Sequence, residues 1–184
     1  STSRLKGEHN ADNARLAARI ALAAGATLDG VLAGIAAFAP LPHRLEEHSF
    51  GGTLFVDDSI STTPEATKAA LAAYAGKRIA LIAGGHERQQ DYTELAGLLA
   101  GFGVTLLVCL PVTGARLAAA TREAAPAIAV LEAPDLETAM QALLERRGSF
   151  DALILSPGAP SYNQFKNFEE RGSRFIALAE ALFS

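Results

Sequence analysis

Short apolar runs alternate with helical stretches through most of the chain. The runs Leu45–Phe50, Thr53–Asp57, Arg78–Ala83, Val104–Leu110, Ala127–Leu131 and Ala152–Leu155 have strand length, and all but the first are rich in aliphatic residues. Between and after them, Pro64–Tyr74, Tyr92–Gly101, Gly114–Ala124, Leu136–Arg146 and Tyr162–Phe183 carry apolar residues three and four apart and read as helices. Strand–helix alternation at this spacing predicts an α/β fold built on a mostly parallel, doubly wound sheet of about six strands. Gly51-Gly52 joins the first two runs, so these are expected to form a hairpin that adds an antiparallel edge.

The first forty residues have a different texture. Asn10 to Ala24 is an Ala-rich helical stretch that stops at Gly25, and Thr27 caps a second helix running to Phe38. Ala39-Pro40-Leu41-Pro42 ends that helix. We therefore expect a boundary near residue 40, with 1–40 a helical tail of one domain and 41–184 a second domain.

Composition narrows the class. Hydrophobic residues make up 49% and charged residues 20% of 184, enough apolar content for a real core. A net charge of −4, with scattered basic residues, argues against a nucleic-acid partner. No apolar stretch is long enough to span a membrane, and a single cysteine, Cys109, excludes an internal disulfide and fits a reducing, cytoplasmic compartment. Cys109 lies in an apolar run and reads as a buried structural thiol. The chain begins at Ser1-Thr2-Ser3 without Met, and we read it as a fragment.

In open parallel sheets, ligands bind beyond the carboxyl ends of the strands. Three loops leaving those ends are unusual. Loop 1, Asp57-Asp58-Ser59-Ile60-Ser61-Thr62-Thr63, has four hydroxyls and two carboxylates before Pro64. One hydroxyl (Thr63) suffices to cap a helix with Pro64 at its first position, so the surplus suits an anion, a ribose hydroxyl or hydrated Mg²⁺, or is simply a polar turn. Loop 2, Gly84-Gly85-His86-Glu87-Arg88-Gln89-Gln90-Asp91, offers a tight turn and one arginine able to grip a carboxylate, or is a solvated charged loop. His86 has no second histidine at ligand spacing, and no metal is assigned. Loop 3, Ser156-Pro157-Gly158-Ala159-Pro160-Ser161-Tyr162-Asn163, is expected to open the last helix with Ser161 as cap. The chain contains no G-x-x-x-x-G-K-[ST] phosphate loop and no G-x-S-x-G nucleophile elbow, so a main phosphate cradle would lie elsewhere.

These loops, taken with Gly7–Asn13, Leu41-Pro42-His43-Arg44 and above all Gln164-Phe165-Lys166-Asn167-Phe168-Glu169-Glu170-Arg171-Gly172, resemble the Mur ligases of peptidoglycan synthesis, MurD-like enzymes most closely. The resemblance spans nearly the whole chain. It implies a Rossmann-like C-terminal domain preceded by two helices from a central ATPase domain, with the N-terminal and most of the central domain missing. It further implies an ATP-dependent ligase that uses Mg²⁺ to phosphorylate the carboxylate of UDP-N-acetylmuramoyl-L-alanine. Glutamate then displaces phosphate to form an amide. By the same resemblance Asn10 and Asn13 contact adenine, Arg44 the nucleotide phosphates, and Asp58 and Ser59 the ribose side of ATP. Thr62, Arg88, Ser161, Tyr162 and Phe168 surround glutamate. The principal catalytic groups are expected upstream, so this fragment alone should be inactive.

Three positions depart from the MurD pattern. Ile60 and Thr63 stand where loop 1 usually has a lysine and an asparagine, and Arg88 replaces a lysine in loop 2. Asp58-Ser59-Ile60-Ser61-Thr62-Thr63-Pro64-Glu65 and Ser161-Tyr162-Asn163-Gln164-Phe165 look more like a variant branch that adds L-glutamate, which leaves D- against L-glutamate open. Other readings of the same residues are a folylpolyglutamate synthase-like ligase domain and a non-catalytic nucleotide- or amino-acid-binding module.

Overall fold

A computed structural model of the chain describes residues 8–184. Gly7, part of the N-terminal piece named above, lies outside them. The chain divides into two compact units, one ending at Pro42 and the other His43–Ser184.

The first unit is a helix pair, α1 (Glu8–Ala23) and α2 (Leu28–Ala37). Gly25, at φ 95°, ends α1 with a left-handed turn. The Thr27 hydroxyl accepts from the Gly30 amide at 3.2 Å and starts α2 as expected. Leu16, Ile20, Leu28, Leu32 and Phe38 are exposed.

The second unit is a six-stranded sheet in the order β1-β2-β6-β3-β4-β5. The strands are β1 (Glu46–Phe50), β2 (Thr53–Asp57), β3 (Ile79–Gly84), β4 (Val104–Leu110), β5 (Ala129–Glu132) and β6 (Ala152–Leu155). The β1–β2 hairpin is antiparallel and every other pairing is parallel. The helices are α3 (Pro64–Ala72), α4 (Thr93–Leu98), α5 (Gly114–Ala124), α6 (Leu136–Leu144) and α7 (Phe168–Phe183). Alternate residues of β3 face opposite sides. Ile79, Leu81 and Ala83 pack with Leu71, Leu95 and Leu117 of α3–α5. Ala80 and Ile82 pack with Met140, Phe175 and Phe183 of α6 and α7. Both faces are therefore covered over the central strands β3, β4 and β6, which is why these read as near-continuous apolar runs, while the edge strand β1 is largely exposed. Among the described residues, no helix is long and apolar enough to cross a membrane.

The last helix departs from expectation. It begins at Phe168, not Tyr162, and its cap is Asn167 rather than Ser161: the Asn167 Oδ1 accepts from the Glu170 amide at 2.9 Å. The Ser161 carbonyl instead closes a turn with the amides of Gln164 and Phe165. Leu45, expected in β1, lies at φ 49° and drops out of the strand. Cys109 is buried, and burial pushes its thiol up to about 12, so it is inert packing.

Candidate functional site

The strand order places the three chemistry-bearing loops side by side. β2, β6 and β3 are neighbours and run parallel, so loops 1, 3 and 2 leave the same sheet edge. β2 and β3 feed helices on one face while β6 feeds α7 on the other, the arrangement that opens a crevice beyond the strand ends. Backbone bonds knit the loops. Gly158 N donates to Ser61 O at 3.0 Å, Gly84 N to Pro157 O at 2.8 Å and His86 N to Pro160 O at 2.7 Å. The Gln90 amide donates to Thr62 O at 2.9 Å, and the Tyr92 hydroxyl to Gly158 O at 3.0 Å. A side chain at Gly85 would meet Pro160 O, so the glycine is what lets loops 2 and 3 touch.

Arg171 of α7 ties loops 1 and 3 from below. It is 1% exposed, and its guanidinium donates to Ser59 O at 2.8 Å, Ser59 Oγ at 3.0 Å and Ala159 O at 3.0 Å. Ser59 Oγ passes its own hydrogen to Phe168 O at 2.8 Å. Burial drags the Arg171 guanidinium down to about 10, partly offset by the nearby Asp57 charge, so it remains charged at neutral pH.

A second cluster surrounds Arg44. His43 and Leu45 both lie in the left-handed region, at φ 59° and 49°, which is strained for residues with a Cβ. The two loop-1 aspartates hold them there. Asp57 Oδ2 is 2.7 Å from His43 Nδ1, and Asp58 Oδ1 accepts from the Leu45 amide at 3.3 Å. Ile60 N donates to His43 O at 3.2 Å, and the His43 ring lies edge-on to Phe168 with centroids 6.1 Å apart. Arg44 is exposed between its two held neighbours. His43, Glu46 and Asp57 have the spacing of a metal cluster, but hydrogen bonds account for it: Glu46 Oε2 accepts from the His43 amide at 3.0 Å.

Residues 43–159 match the family model described as Mur ligase, glutamate ligase domain. The chain belongs to the Mur ligases. It is 38% identical over 181 residues to the UDP-N-acetylmuramoyl-L-alanine–L-glutamate ligase of Xanthomonas euvesicatoria pv. vesicatoria, covering 95% of this chain and 38% of that protein. It is 38% identical over 183 residues to the UDP-N-acetylmuramoylalanine–D-glutamate ligase of Escherichia coli, covering 97% of this chain and 40% of the relative. Among solved structures, MurF from Acinetobacter baumannii shares the fold with a TM-score of 0.71 at 21% identity, over 95% of this chain and 38% of that one. The chain thus spans about two fifths of the relatives it matches, and their printed names divide between L- and D-glutamate.

The Mur ligase site residues expected from sequence fall into four groups. Arg44, Arg88 and Tyr162 are exposed, Tyr162 at 61%, with its ring edge-on to His86. Thr62 and Phe168 are half-buried and Ser161 is buried, all on the loops that meet. Asp58 and Ser59 are turned inward: Asp58 Oδ2 accepts from the Ser156 hydroxyl at 2.7 Å, and Ser59 is bonded to Arg171 and Phe168. A ribose contact by Asp58 would require exchanging the Ser156 or Leu45 donor for the ligand. Asn10 is buried and Asn13 exposed, both on α1. Arg171, Arg116 and His43 were not expected as site residues, and Asp57 was expected only as one of two loop-1 carboxylates, not as a partner of His43. For Arg171 and His43 the signal was their place inside matched motifs; for Arg116 there was none.

Asp58 makes the site pH-sensitive. Burial lifts its carboxyl to about 6, against hydrogen bonds from Ser61, Ser156 and the Leu45 amide and the Arg44 charge. Asp57 is raised as well, burial again outweighing its bond with His43. A carboxyl raised on folding means that the folded state holds the extra proton. Its contribution is complete below about pH 4 and lost as pH rises through about 6, a difference of roughly 3 kcal/mol. Asp58→Asn imitates the protonated form. Urea unfolding should show the parent chain losing ground to Asp58→Asn between pH 4.5 and 7; a gap constant with pH would refute the burial penalty.

Proposed function

We propose that this chain is the C-terminal part of a cytoplasmic, ATP-dependent ligase of peptidoglycan synthesis that joins glutamate to UDP-N-acetylmuramoyl-L-alanine. In the reaction, the acceptor carboxylate takes the γ-phosphoryl group of ATP. The glutamate nitrogen then attacks the acyl carbon, an amide forms, and phosphate and ADP leave.

The observation that carries this reading is Arg88. Its guanidinium is exposed and has no ion-pair or hydrogen-bond partner among the described residues, on a loop bonded to both other loops of the site. A free guanidinium beside hydroxyl-rich loops fits a ligand carboxylate, which it can grip with two parallel hydrogen bonds. We assign Thr62, Arg88, Ser161, Tyr162 and Phe168 to glutamate. Arg44 is assigned to the nucleotide phosphates, Asn10 and Asn13 to adenine, and Asp58 and Ser59 to the ribose side. Both loop-1 carboxylates already accept hydrogen bonds from protein donors, so Mg²⁺ ligands are assigned to the remainder of the polypeptide.

The exposed Leu16, Ile20, Leu28, Leu32 and Phe38 of the helix pair support a chain that works within a longer protein, whose central domain would cover them. The full-length protein should release ADP only when UDP-N-acetylmuramoyl-L-alanine and glutamate are both present, and this chain alone should release none. Turnover that ignores the nucleotide sugar would sink the acceptor assignment.

A further inference from the structure

Arg88 sits in a loop that another arginine holds in place. Arg116, on the first turn of α5, reaches from the neighbouring crossover to loop 2. Its Nη2 donates to both Glu87 oxygens at 2.7 and 2.9 Å, and its Nη1 to the Gln90 carbonyl at 2.8 Å. Its guanidinium carbon lies 5.4 Å from the centroid of the Tyr92 ring. Residues 87, 90 and 92 bracket Arg88 in the chain, so one side chain fixes the loop on both sides of the free guanidinium.

The same contacts carry onward. Gln90 donates to Thr62 O in loop 1, and Tyr92 donates to Gly158 O in loop 3. Inside the loop, Gln89 takes φ 57° and its amide donates to Glu87 Oε1, forming a tight turn next to Arg88. Glu87 stays ionised beside these donors, the Gln89 amide first and Arg116 after it. A single exposed ion pair contributes little, but an Nη2 shared between both Glu87 oxygens, combined with the Nη1 bond to the Gln90 carbonyl and a ring contact, restrains a loop well. Lysine could not reproduce it, since one ammonium cannot span Glu87 and Gln90 together.

We propose that Arg116 is a positioning residue for amino-acid recognition, setting loop 2 so that Arg88 meets the glutamate side-chain carboxylate. The proposal rests on the assignment of Arg88 to glutamate made above. It is tested in the full-length protein by steady-state kinetics on Arg88→Ala, Arg116→Gln, Arg116→Lys and the double variant Arg88→Ala/Arg116→Gln.

Arg116→Gln should raise glutamate KM about tenfold, the size expected when a supporting contact is lost, with ATP KM and kcat within about twofold of the parent. Arg116→Lys should recover only a small part of that loss. In the Arg88→Ala background, Arg116→Gln should add little, because the group that it positions is gone. A stabilising role alone would give additive effects and would lower the melting temperature in proportion. Unchanged glutamate KM in Arg116→Gln, with KM raised in Arg88→Ala, overturns the positioning role and leaves the Arg88 assignment standing. Full additivity in the double variant overturns the positioning role as well. Unchanged glutamate KM in Arg88→Ala overturns both.

Discussion

Arg171→Met is expected to destabilise the chain by about 3–5 kcal/mol, the range for breaking a buried, hydrogen-bonded charged group. The methionine fills much of the volume but donates nothing. Ser59 O and Ala159 O would then be left without the guanidinium donors in a region closed to water, since Ser59, Ala159 and Arg171 are each 0–1% exposed. Arg171→Lys should be nearly as damaging, because its single ammonium cannot reach Ser59 and Ala159 at once. Loops 1 and 3 would part where Arg171 joins them. Amide exchange should therefore rise across residues 58–63 and 156–161 beyond the rise in the core strands. Urea unfolding that shifts by less than about 1 kcal/mol would mean that water replaces the guanidinium without loss.

Gly172→Ala should destabilise by about 2–3 kcal/mol, against the trend for a helical glycine. In an open helix position alanine is better than glycine by about 1 kcal/mol. Gly172 is not open. A Cβ there would lie 2.5 and 2.8 Å from the two Asp57 oxygens and closer still to His43 Nδ1. Neither neighbour can move aside cheaply. Asp57 is 1% exposed and accepts from the Ser59 amide at 3.0 Å, while His43 lies against Phe168. The accommodating shift would break the His43–Asp57 bond and release the strained backbone on either side of Arg44. Gly97→Ala in α4, where a Cβ meets nothing within 4 Å, provides the control and should gain stability slightly. Equal responses at the two glycines in urea unfolding would show that close approach at Gly172 does not matter.

Periodicity and turn chemistry carried most of the fold into view. Apolar runs located β2 to β6 to within about two residues, and the Gly51-Gly52 turn located the exposed edge strand β1. Thr63 and Pro64 open α3 as their residue types demand, with Thr63 Oγ1 accepting from the Ala66 amide at 3.3 Å. The start of α7 was misplaced because Ser161 and Asn167 are both good caps, and only packing chooses between them. The three loops could be picked out because each follows a strand and carries more polar groups than a turn needs. What holds them was not visible. An arginine directly after the acidic first turn Glu169-Glu170 gives no local sign of burial, yet Arg171 is buried by loop carbonyls that recruit it from 12 and 112 residues away. His43 and Asp57 are 14 residues apart, and Arg116 is 29 from Glu87. Pairings at such separations depend on tertiary register, which no local pattern encodes. Loop 1 shows the same limit: its polar residues looked like ligand donors, and Asp58 and Ser59 instead have protein partners.

In the proposed function, this domain presents glutamate to an activated carboxylate. The measurement that tests it most directly is ADP release by the full-length protein with UDP-N-acetylmuramoyl-L-alanine, ATP and Mg²⁺, varying only the amino acid. D-glutamate and L-glutamate are compared there with glycine, L-alanine, L-lysine and diaminopimelate. Release is expected with one glutamate enantiomer and none with glycine, L-alanine or L-lysine, which lack a side-chain carboxylate, nor with diaminopimelate, whose second carboxylate sits two carbons further out. Release driven by another amino acid, with both glutamate enantiomers inert, would contradict it.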